Sequence, residues 1–138
     1  MKNKLSILIL LIAMGLAILP SCKKVSKEII GTWDVMTFDT KPNGTMRITF
    51  DNNSNAIRIL DSESGMNVDS CSYEIIKKNL KERIVFRNSK MLPGCDNLNG
   101  IYRVDKVKSD MIIATRVEFE EDPKQGGAYY RLELKRRY

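Results

Sequence analysis

The chain has 138 residues, 43% of them hydrophobic and 29% charged, with a formal net charge of +6 and no histidine. That length allows one ordinary domain and excludes two, and the missing histidine excludes imidazole general bases and imidazole metal ligands. The basic excess is modest and scattered, with no basic motif interleaved with aromatics, so nucleic acid is not an expected partner.

The chain opens with the basic segment Met1-Lys2-Asn3-Lys4 and continues uncharged from Leu5 to Leu19. A membrane-spanning helix needs roughly 20 apolar residues; this shorter run, ending at a small residue, has the make-up of a signal peptide. Its end, Leu19-Pro20-Ser21-Cys22, resembles the lipobox of bacterial lipoproteins. The resemblance implies cleavage before Cys22 and a diacylglycerol on its sulfur. Residues 1–21 are then a signal, 22–27 an acylated tether and 28–138 the folded domain, and the net charge falls by two as Lys2 and Lys4 leave. Each buried acyl methylene contributes about 0.8 kcal/mol to membrane anchoring, so the membrane is an expected partner. No acidic residue directly follows Cys22, only Lys23 and Lys24; among lipoproteins this favours the periplasmic face of the outer membrane.

At the end of the tether, "SKEII" predicts one helical turn with Ser26 as its cap, and "GTWDVMTF" a first strand. "TMRITF" alternates, with Met46, Ile48 and Phe50 on one side. The turn "DNNSN" leads into "AIRIL", where Ile57 and Ile59 flank Arg58 and are expected to form the apolar face of a hairpin partner. "SCSYEIIK" offers Cys71, Tyr73 and Ile75; "RIVFR" offers Ile84 and Phe86; "GIYRVDKV" offers Tyr102 and Val104. "MIIATRVEF" is read with Met111, Ile113, Thr115 and Val117 inward, and "AYYRLELKRR" with Tyr130, Leu132 and Leu134 inward. Eight strands with short links and no crossover helix predict an all-β antiparallel up-and-down eight-stranded barrel, with a two-sheet sandwich as the alternative. The longest irregular segments are Asn88–Asn99 and Glu121–Ala128.

Cys71 and Cys95 form an even pair in a compartment expected to be oxidising. They predict a disulfide contributing about 3 kcal/mol, with two buried free thiols as the alternative. Without a histidine or a CxxC spacing they do not form a metal site.

"EIIGTWDV" resembles the G-x-W signature of lipocalins and of lipocalin-like domains in bacterial lipoproteins. The resemblance implies that Trp33, introduced by Gly31, closes one end of the barrel and that an arginine of the last strand packs across it. Arg136, in register with Leu132 and Leu134, is the expected arginine. An eight-stranded interior is filled by side chains or holds one small ligand, and a chain this short leans toward the filled case.

No nucleophile elbow, phosphate loop or metal-ligand cluster appears, so neither enzymatic activity nor a cofactor is expected. The acidic run Glu118, Glu120, Glu121 and Asp122 lacks EF-hand spacing. Two readings remain, of which the first is the leading expectation and the second its alternative. In one the barrel binds a small hydrophobic ligand or lipid, with Met46, Phe50, Ile57, Tyr73, Phe86, Tyr102 and Tyr130 as wall residues. In the other the same residues are core, and the chain is a structural or protein-interaction module meeting an envelope protein partner through its surface or through Met91, Leu92 and Leu98 of the long loop.

Overall fold

The computed structural model describes residues 24–37, 44–118 and 131–138. Cys22, Tyr130 and the acidic residues at 120–122 lie outside the described residues. The elements run α1 (Val25–Glu28), β1 (Gly31–Thr37), β2 (Thr45–Phe50), β3 (Asn55–Ser62), β4 (Gly65–Lys78), β5 (Lys81–Arg87), β6 (Gly100–Val107), β7 (Met111–Glu118) and β8 (Arg131–Arg136). Each strand pairs antiparallel with the next, and β8 pairs with β1, giving a closed eight-stranded up-and-down barrel of the lipocalin-like form. Closure removes every sheet edge and excludes the sandwich.

Because the strands alternate in direction, the connections alternate between two ends. The lower end carries the entry into β1, the turns after β2, β4 and β6, and the exit from β8. The upper end carries the link from Asn88 to Asn99 between β5 and β6.

Register decides which side chains face inward, since residues opposite each other across two strands share a face. Met46, Ile48 and Phe50 stand opposite Leu60, Arg58 and Ala56. All six are buried. The expectation that Ile57 faces inward is therefore corrected: Ile57 is 44% exposed on the outer wall, and Arg58 takes the inward position. β7 is shifted in the same way. Ile112, Ala114 and Arg116 are buried there instead of Met111, Ile113, Thr115 and Val117. A register break between Ile101 and Tyr102 sets Tyr102 opposite Arg116, as a bulge does when it re-aims a side chain. A third correction concerns α1, whose N-cap is Lys24, with no side-chain cap bond, while Ser26 lies within the helix.

The interior holds an aromatic ladder. Phe50 meets Tyr73 edge-on with ring centroids 5.0 Å apart and Phe86 at 6.0 Å, and Phe86 meets Tyr102 edge-on at 5.3 Å. Edge-to-face contacts of this kind add to the stabilisation from area burial alone.

Candidate functional site

At the lower end, α1 lies across the barrel mouth with Val25 and Ile29 buried. Trp33 is fully buried and its indole nitrogen donates to the Ile29 carbonyl at 2.7 Å. Arg136 stands opposite Trp33 in the β1–β8 register, its guanidinium 4.3 Å from the indole centroid. The same guanidinium donates to the carbonyls of Ile30 at 3.1 Å, Ser109 at 2.6 Å and Glu28. One planar fork thus ties α1, the β6–β7 turn and the tryptophan together. Gly31 makes room for it. Its φ is +121°, where side chains other than glycine's are strained, and a Cβ there would lie 3.1 Å from the Arg136 guanidinium.

At the upper end, the segment between β5 and β6 folds into the barrel. Leu92, Cys95 and Leu98 join the core, while Met91 is 72% exposed. A buried polar cluster fastens it. Arg58 pairs with Asp69 at 3.1 Å, both side chains having no exposed surface, and donates to the carbonyls of Lys90 at 2.5 Å and Asp96 at 2.6 Å. Asp69 also accepts from the Ser89 hydroxyl at 2.6 Å and the Lys90 amide at 3.0 Å. The Ser89 oxygen in turn accepts from the Leu98 amide at 2.9 Å. Arg116, buried beneath the loop, donates to the Asn99 carbonyl at 3.2 Å and lies 3.8 Å from the Asp96 carboxylate. Two buried guanidinium groups and one buried carboxylate thus meet the loop's own backbone, which offsets part of the cost of burying charge, although the Arg58 Nε has no hydrogen-bond partner among the described residues.

Cys71 and Cys95 are both buried free thiols, so the expected disulfide is replaced by the alternative arrangement. The Arg58 guanidinium packs against Cys95, its nitrogen 3.7 Å from the sulfur, and turns that sulfur into a hydrogen-bond acceptor. Burial pushes the Cys71 thiol up to about 12, helped by the nearby Asp69 charge, and raises the Cys95 thiol as well. Both are thus held in the weakly nucleophilic thiol form.

Of the proposed wall residues, Met46, Phe50, Tyr73, Phe86 and Tyr102 converge in the interior and Ile57 does not. The Tyr73 hydroxyl donates to the Asp51 carbonyl at 2.7 Å. The Tyr102 hydroxyl is buried beside the Arg116 guanidinium, and its proton meets no acceptor among the described residues. The Arg116 guanidinium lies over its ring, 5.9 Å from the centroid, and burial raises the phenol's pKa. A shallow pocket of about 10 Å³ lies between Asp34, Arg47, Ile59, Asp61 and Arg137, room for about one water. No group of three or more His, Cys, Asp or Glu suited to a metal occurs among the described residues.

Arg58, Asp69, Ser89 and Arg116 were not singled out by sequence reasoning. A signal for the first two existed. Once "TMRITF" and "AIRIL" are paired with Phe50 opposite Ala56, Arg58 must point inward and needs a carboxylate, which Asp69 supplies directly across the β3–β4 ladder. No protein-family model, curated protein or solved structure matches this chain.

Proposed function

We propose that this chain is a lipid-anchored, non-catalytic protein of the cell envelope, held by Cys22 at the periplasmic face of the outer membrane, whose barrel is a filled scaffold acting through its outer surface. The observation that carries this reading is the interior itself. The aromatic ladder packs ring on ring, Trp33 and Arg136 cover one end, and the 88–99 segment fills the other with Leu92, Cys95 and Leu98. Side chains already make the contacts that a small ligand would make in a hollow barrel of this strand number. Native mass spectrometry of the mature chain from its own host tests it. A bare polypeptide carrying only its acyl chains is the expected result.

A second reading, carriage of a small hydrophobic molecule, is favoured by one feature. The Tyr102 hydroxyl is buried beside the Arg116 guanidinium, which can only donate to it, so its own proton meets no acceptor among the described residues, and such donors ordinarily find one. The segment above it is fastened without a covalent cross-link, so a ligand with one polar end would displace it and meet Tyr102. A reproducible extra mass lost on denaturation would establish this reading in place of the first.

A further inference from the structure

The β4–β5 hairpin turns at Asn79 and Leu80, both with positive φ, 53° and 63°. This is the two-residue turn that matches strand twist and favours Asn-Gly. Asn79 suits it. A leucine in the second position is strained there and gains nothing from packing, being 89% exposed. Around it stand Lys77, Lys78 and Lys81, all exposed, with Lys78 opposite Lys81 in the ladder. An apolar tip with a lysine collar is the make-up of a segment that enters the lipid headgroup layer.

The place of this tip in the fold supplies the second observation. The turn after β4 lies at the lower end, where the chain enters the barrel. The Val25 amide donates to the Glu82 carboxylate at 2.8 Å, which joins the hairpin to the start of the folded chain; Glu82 stands opposite Lys77 in the ladder, and Lys78 and Lys81 lie nearer the tip. Cys22 is three residues before Val25, a span of at most about 10 Å. An acyl anchor on Cys22 therefore holds this end of the barrel, and not the 88–99 end, against the membrane.

We propose that Leu80 and the lysines at 77, 78 and 81 form a membrane-docking tip that inserts into an anionic lipid surface beside the acyl anchor and sets the orientation of the barrel. The proposal rests on the lipid-anchor reading, and its test separates the two. Full-length protein, processed in its host, is reconstituted into vesicles of phosphatidylglycerol and phosphatidylethanolamine as the Leu80→Trp variant and, separately, as Met91→Trp at the opposite end. The buried Trp33 gives a common background. The expected result is a blue shift and quenching by brominated lipid for Leu80→Trp alone. Equal behaviour of the two variants, with acyl chains present on Cys22 by mass, overturns the docking tip and leaves the anchor standing. A Cys22 without acyl chains overturns both. Quenching that ignores replacement of phosphatidylglycerol by phosphatidylcholine removes the lysines from the docking surface.

Discussion

The two ends of this barrel are closed by the same device in two dielectric settings. At the lower end Arg136 gathers three backbone carbonyls and lies on Trp33, with its side chain about one-fifth exposed and the Glu28 carboxylate 3.9 Å away. At the upper end Arg58 gathers two carbonyls and, having no exposed surface, has the Asp69 carboxylate directly against it. Water tempers the first charge; only protein groups satisfy the second. The comparison teaches that the carboxylate partner is held in direct contact where solvent is excluded, 3.1 Å for Arg58 and Asp69, and at longer range where water shares the charge, 3.9 Å for Arg136 and Glu28.

The largest test of that contrast is Asp69→Ala. It leaves Arg58 as an unpaired buried charge and removes the acceptor of both Ser89 and the Lys90 amide, so unfolding in urea is expected to show a loss of about 3–5 kcal/mol. Limited proteolysis should then cut first within 88–99. Arg136→Ala is expected to cost less, about 2 kcal/mol, because the cation–π contact it removes is partly solvated and water reaches the carbonyls it leaves behind. A larger loss at Arg136 than at Asp69 would reverse the assignment of which end is the more deeply buried.

The thiols sharpen the comparison along a pH axis. Cys71 is raised to about 12 in the folded state, above its value in the unfolded chain, so its stabilising contribution is complete below the unfolded pKa near 9 and is lost as pH rises toward the folded one. Stability measured from pH 9 to 12 should fall by roughly a kcal/mol per unit from this group. The fall should be shallower in Cys71→Ala. Equal slopes in both proteins would remove the thiol from the account. In the same samples, maleimide labelling after denaturation is expected to add two labels to the parent at Cys71 and Cys95, matching the free thiols, and none if they were bridged.

How much of this was legible follows from the same two arginines. Strand number and antiparallel order were readable because alternation marks eight strands with short links between them, while closure was settled by the β1–β8 pairing, since alternation fits a two-sheet sandwich equally well. The pairing of Trp33 with an arginine of the last strand was implied by the resemblance to the G-x-W signature, and the choice of Arg136 was readable because β8 returns beside β1 with its inward parity marked by leucines. The upper end was not. A charged residue flanked by isoleucines reads as outward facing, so Arg58 pulled β3 into the wrong parity and carried Ile57 inward with it; Arg116 did the same to β7. In both strands a buried guanidinium hid behind the ordinary cost of burying charge. The local pattern shows that cost, while the carbonyls of the 88–99 segment that offset it are supplied from far along the chain.

The smallest expected effect is at the hairpin tip, and it runs in the opposite direction. Replacing Leu80 by glycine relieves a left-handed conformation that costs an ordinary residue about 1–2 kcal/mol, against an entropic loss of roughly 0.5–1 kcal/mol for the freer backbone. Almost no packing is lost, because Leu80 is exposed. The net result should be a gain of about 0.5–1 kcal/mol, read as a higher urea midpoint at unchanged slope. The docking proposal accounts for a leucine kept where it is strained and unpacked. Leu80→Gly should therefore be the more stable protein in water and the less firmly oriented one on an anionic bilayer. A variant that loses stability instead would show that the tip is shaped for the barrel and not for the membrane.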